Sequence, residues 1–132
     1  MVRSIHHINF IVRDLDEAIV RYEQILGQSL ARRDELPERG VRAARFRIGE
    51  TWLVLVQPTR PDGVPGRFLA EHGEGFFLLS FGVDSLDAEF ERLGSQWDSG
   101  PTRTGADGWQ VRDLDAARTL GAQLQYCEYS RR

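Results

Sequence analysis

The chain is written twice. A shift of 71 positions carries His7-Ile8-Asn9-Phe10-Ile11-Val12 onto Leu78-Leu79-Ser80-Phe81-Gly82-Val83, Leu15-Asp16 onto Leu86-Asp87, and Leu53-Val54 onto Leu124-Gln125, with no gap. Few residues are identical. One shift nevertheless fits a strand, the helix start after it and a later strand, and a coincidence rarely matches three elements in one register. Two like halves, each a strand–helix–strand unit, are what such a chain must fold into.

Each half has its own start signals. Ile5 to Val12 is rich in Ile, Val and Phe and reads as a strand. Asp14 with Glu17 three residues on is a capping-box pattern, and Leu15, Ala18, Ile19, Tyr22, Ile25 and Leu26 follow at helical spacing. Gly40–Arg47 and Thr51–Gln57 read as two strands joined at Gly49-Glu50, and Thr59–Gly66 as a loop. Arg67–His72 reads as a short helix. The second half repeats the scheme: a strand over Phe76–Val83, Ser85 as a cap, an apolar stripe of Leu86, Phe90 and Leu93, a polar loop over Gly100–Gly108, and strands at Trp109–Arg112 and Gln123–Tyr129. One strand per half is weakly marked. The expected fold class is α+β: two tandem βαβββ modules, about 1–60 and about 74–130, forming a curled mixed sheet around a central cavity in a single 132-residue domain.

The cavity is inferred from side-chain alternation. Successive strand residues point to opposite sides of a sheet. One set is uniformly apolar: Ile8, Phe10, Val12, Leu53, Leu55, Leu79, Phe81, Val83, Leu124 and Tyr126. It suits packing under the helices. The other set mixes His7, Asn9, Ile11, Trp52, Val54, Val56, Leu78, Ser80, Gly82, Gln123, Gln125 and Cys127. Solvent does not favour so many large apolar groups, and a dry core does not favour so many polar ones, because each unpaired buried polar group costs about 1–3 kcal/mol. A small-molecule site holds both kinds. A dimer interface is the bland alternative.

Charge and composition exclude other classes. The net charge of −3 leaves no basic footprint for nucleic acid, and Arg131-Arg132 reads as a solvated tail. No apolar run reaches the ~18 residues of a membrane span, and no signal-peptide pattern is present. The single cysteine, Cys127, has no internal disulfide partner and reads as a packing residue. Together these features point to the cytoplasm. Arg103 in the polar loop reads as a surface arginine or an anion contact, and Trp52 as a core residue or a platform for a planar ligand.

The stretches Ile5-His6-His7-Ile8, Val12-Arg13-Asp14-Leu15-Asp16-Glu17-Ala18, Tyr22 through Gly27, Phe68-Leu69-Ala70-Glu71-His72-Gly73-Glu74-Gly75 and Phe81-Gly82-Val83-Asp84 resemble the vicinal oxygen chelate superfamily of glyoxalases, bleomycin-resistance proteins and extradiol dioxygenases. Within it they are most similar to methylmalonyl-CoA epimerases. The resemblance implies paired βαβββ modules, a homodimer, and in the metalloenzymes a divalent metal whose four ligands fall here on His7, Val54, Leu78 and Gln125. Val54 and Leu78 have no donor atoms, while a catalytic metal keeps about three protein ligands. His6 beside His7 should face away, as should Gln57 and Glu128, three residues beyond Val54 and Gln125. The family's last-strand Glu is Gln125, and a second epimerase carboxylate falls near Ala43.

The expectation is therefore a superfamily member with no bound metal and no cofactor. It would bind or sequester a small organic molecule, or act as a metal-independent isomerase or lyase, with catalytic residues unassigned. The alternative is a metal-dependent epimerase-like or glyoxalase-like enzyme with a rearranged site, in which His7 and Gln125 would be the starting ligands.

Overall fold

The computed structural model describes residues 1–129; the Arg131-Arg132 tail lies outside them. The described residues form an α+β fold of eight strands and three α-helices: β1 Ser4–Ile11, α1 Leu15–Leu26, β2 Arg32–Leu36, β3 Val41–Ile48, β4 Thr51–Pro58, α2 Val64–His72, β5 Gly75–Val83, α3 Leu86–Leu93, β6 Arg103–Thr104, β7 Gln110–Asp113 and β8 Leu124–Glu128. Each half has the expected βαβββ order. The chain divides into two compact units. Ile8–Phe77 is the first, and Met1–His7 with Leu78 onward is the second.

In the first unit β2, β3 and β4 form an antiparallel ladder, and the end of β1 lies beside β4, with Val12 N donating to Val56 O at 2.9 Å. The weakly marked strand is β2, Arg-Arg-Asp-Glu-Leu, which has no β-branched residue. Pairing with all five of Arg45 to Val41 holds it extended, and its charges suit an edge. Helix α1 buries Leu15, Ala18 and Ile19 on Ala44, Phe46, Leu55 and Val12. These are the apolar faces of β1, β3 and β4, as alternation requires. Ile25, placed on the apolar stripe by its spacing, is 71% exposed: at the helical period it lies to one side of Leu15, Tyr22 and Leu26, which do meet the core. Helix α2 starts at Val64, inside the stretch read as a loop. Pro65 sits in its first turn, where a missing N–H costs nothing.

In the second unit β5 and β8 run parallel, and β8, β7 and β6 follow antiparallel. The start of β1 lies beside β5, with Arg3 N donating to Gly82 O. Helix α3 packs Leu86 and Phe90 on Val83, Leu114 and Tyr126. The weak strand here is β6, only two residues long.

The repeat extends to the helix caps. Asp14 accepts from Glu17 N and Ser85 from Ala88 N, both at 3.1 Å and 71 positions apart. Gln57 Oε1 accepts from Leu15 N at 2.8 Å, and Glu128 Oε1 from Leu86 N at 3.0 Å, again 71 apart. Each half thus ties its last strand to the first N–H of its own helix. Gln57 and Glu128 face away from the mixed set, as alternation requires.

Candidate functional site

The mixed face of the second unit is a row of paired positions. Ser80 on β5 is opposite Gln125 on β8, which is opposite Asp113 on β7. Ser80 and Gln125 are buried. Gln125 Nε2 donates to Asp113 Oδ1 at 3.1 Å, and Arg103 closes on Asp113 Oδ2 at 2.8 Å. Asp113 is the carboxylate on this face that sequence reasoning missed. Arg103 is its ion-pair partner and keeps an exposed side chain. Ser80 Oγ is fully buried and has no hydrogen-bond partner among the described residues.

Around this row lie buried His7, Leu78 and Cys127. Burial pushes the Cys127 thiol up to about 12, so on its own it stays protonated. Gln123, expected to open the last strand on this face, is exposed and precedes β8, which starts at Leu124. His6 does not simply face away from His7. Their Nδ1 atoms approach to 2.9 Å, and both rings rest on Trp109, His7 stacked at 4.8 Å and His6 edge-on at 4.7 Å.

The mixed face of the first unit carries Asn9, Trp52, Val54 and Val56, with Val54 and Val56 buried. Asn9 Oδ1 is buried without a hydrogen-bond partner among the described residues. Ala43 is buried and supplies no carboxylate. Instead, its neighbour on β2 is Asp34, and two residues along β3 stands Arg45, opposite Val54. Arg45 is 2% exposed, with Nε 3.6 Å from Asp34 Oδ2. Its guanidinium lies over one aromatic ring, Trp52, at 4.7 Å, and Arg47 lies over the same ring at 4.8 Å. Trp52 therefore carries two cations of this chain on its ring. Period-two counting along β3 would have found Arg45, since Ala43, Arg45 and Arg47 alternate with the core residues Ala44 and Phe46.

The four positions of the family metal site can now be tested as chemistry. His7 offers an imidazole. Val54 and Leu78 offer hydrocarbon, and a buried guanidinium is the cross-strand neighbour of Val54. Gln125 has only its neutral carbonyl left, because its amide nitrogen is donated to Asp113. This set does not fit a divalent metal with three or more protein ligands. His72, the remaining histidine, is exposed beside Glu71 and Phe68. A separate open groove of 360 Å³ in the first unit is lined by Phe10, Asp14, Glu17, Arg21, Tyr22 and Glu74, and contains none of the mixed-face polar residues.

Residues 4–118 of the sequence match the family model of the Glyoxalase/Bleomycin resistance protein/Dioxygenase superfamily. The chain belongs to this superfamily. It is 27% identical over 131 residues to the Bacillus subtilis protein YqjC, covering 96% of this chain and 93% of that one. It is also 29% identical over 85 residues to the human mitochondrial methylmalonyl-CoA epimerase, covering 64% of this chain and 48% of the epimerase. Among solved structures, a variant of the Streptomyces coelicolor methylmalonyl-CoA epimerase in complex with 2-nitronate-propionyl-CoA superposes with a TM-score of 0.90 at 26% identity, covering 99% of this chain and all of that one. Similarity to the epimerases thus extends over the whole fold. No helix among the described residues is long and apolar enough to cross a membrane.

Proposed function

We propose that this superfamily member binds a small organic acid or its thioester on the mixed strand faces, without the four-ligand metal centre of its metalloenzyme relatives. The observation that carries the reading is the pair Asn9 Oδ1 and Ser80 Oγ. Both atoms are buried without a hydrogen-bond partner among the described residues, and the 71-residue shift places them at equivalent positions in the two units. An unmet buried polar atom costs about 1–3 kcal/mol. A duplicated cost of this kind fits a face whose polar atoms are met by a ligand.

Arg45 supports an anionic ligand, since it stands between Val54 and Arg32 in the strand register and leaves this face rich in positive charge. The similarity to epimerases that are complexed with a CoA thioester analogue supports the same class. The reading includes a cytoplasmic homodimer, checked by cell fractionation and by light scattering on the purified chain.

The test is calorimetry with methylmalonyl-CoA, propionyl-CoA and their free acids in the presence of EDTA. Binding should persist in EDTA and weaken by about 1 kcal/mol or more in Asn9→Leu and in Ser80→Ala. Binding that appears only after adding a divalent metal, or no binding by any of the four ligands, would overturn it.

A second reading is favoured by Asp113, a carboxylate beside Gln125 on the same face. Such a group suits metal-independent proton transfer, the isomerase or lyase version of the function. Exchange of the α-proton of methylmalonyl-CoA into D₂O in EDTA, abolished by Asp113→Asn with binding retained, is its signature.

A further inference from the structure

One cluster in the second unit borders the Ser80–Gln125–Asp113 row of the mixed face and shares only His7 with the family's metal positions. His6, His7 and Cys127 bring two imidazoles and a thiol together, with one donor atom from each lying within 4.8 Å of the others. Cys127 is paired with Gly82 on β5, which presents no side chain between β8 and β1, and the backbone of Gly82 is itself bonded to Arg3 at the start of β1. The place a side chain of Gly82 would take is filled by Tyr129 and Ser4, and the two histidines reach Cys127 beside it. Trp109 packs against both rings, stacked on one and edge-on to the other.

We propose that His6, His7 and Cys127 form a three-ligand site for a borderline or soft cation of the Zn²⁺ or Cu⁺ class. The donor set points to this class. Imidazole nitrogen and thiolate sulfur select Zn²⁺ and Cu⁺ over the hard, oxygen-seeking Mg²⁺ and Ca²⁺. Bonds of about 2.0–2.1 Å to nitrogen and about 2.3 Å to sulfur, in tetrahedral geometry, separate ligand atoms by roughly 3.3–3.6 Å. The observed 2.9 Å between the two Nδ1 atoms and the 4.8 Å span of the cluster bracket that separation, so small side-chain rotations close the site. Three protein ligands leave the fourth position open, the arrangement of a site that takes an exogenous ligand. Cys127 enters as the thiolate and its proton goes to solvent.

The experiment uses the full chain stripped with EDTA and titrated with Co²⁺ as a spectroscopic substitute for Zn²⁺. One equivalent should bind with a near-ultraviolet thiolate-to-cobalt charge-transfer band, quench the fluorescence of Trp109, and be displaced by Zn²⁺. Cys127→Ser should lose the band, and His6→Ala should weaken binding by more than about tenfold. A saturated protein without the band, or Cys127→Ser retaining it, overturns the site. Because Cys127 is fully buried and its variants can fail to fold, X-ray absorption on the Zn²⁺-loaded unmodified chain gives the answer independently. One sulfur at about 2.3 Å confirms the site, and a shell of nitrogen and oxygen alone refutes it. Since ligand binding to the mixed faces is measured in EDTA, either proposal can fail without the other.

Discussion

The duplicated link from last strand to helix start makes a prediction whose two halves check each other. Leu15 N and Leu86 N are the first N–H groups of their helices, on residues only 1% and 4% exposed, and no intrahelical acceptor exists for them. Gln57 serves one with a neutral amide and Glu128 the other with a carboxylate. Gln57→Ala leaves a buried donor unmet, a loss of about 1–3 kcal/mol. Glu128→Ala removes a charged acceptor, about 1.5–3 kcal/mol, and its attraction for the positive helix end, about 0.3–1 kcal/mol more. The exchange variants separate the two contributions. Glu128→Gln keeps the acceptor and should lose only the smaller, electrostatic part, and Gln57→Glu should gain a comparable amount. Urea unfolding followed by circular dichroism at pH 7 measures all four, and melting should move by about 4 °C per kcal/mol for a chain of this size. If Glu128→Gln costs as much as Glu128→Ala, or Gln57→Ala stays within about 0.5 kcal/mol of the unmodified chain, these bonds do not cap the helices in the way argued.

Other outcomes are equally specific. Phe46→Ala empties a position with no exposure in the first unit's core and should cost about 3–5 kcal/mol in the same assay. Gly66→Ala would press a methyl into the Arg60 carbonyl and the Pro61 backbone, so destabilisation of about 1–3 kcal/mol is expected despite the better helix former. Glu89 is held below its ordinary 4.5, first by the hydrogen bond from Arg92 at 3.0 Å, while burial works the other way. A lowered folded value means stability that is present above the ordinary value and lost as the pH falls through the folded one. Stability should therefore fall as the pH drops through and below the ordinary value of 4.5, and Glu89→Gln should flatten that slope when unfolding is measured at each pH.

The parts of the fold that were legible in the sequence are those in which local chemistry and burial agree. Asp14 and Ser85 cap because their side chains reach an N–H three residues on, and Leu15 and Leu86 begin apolar stripes that do pack on the core. Phe10, Val12, Leu53, Leu55, Phe81, Val83, Leu124 and Tyr126 of the apolar strand set pack under the helices as assigned, because alternation is a property of the backbone. The misreadings are non-local. β2 is strand only because β3 pairs with it, and α2 starts early because a proline is tolerated in a first turn. Arg45 and Asp113 were overlooked because a charge in a strand reads as solvent-facing until its partner is known. Those partners, Asp34 and Arg103, lie on the two weakest strands of the chain. The approach of His6 to His7 depends on the ring of Trp109, about a hundred residues away, and alternation alone could not reveal it.

The ties made by Gln57 and Glu128 each span 42 residues and begin and end inside one unit. Neither borrows an atom from the opposite half. A gene encoding a single module would already have specified this buckle, and copying it end to end would have delivered a second, fastened in the same place.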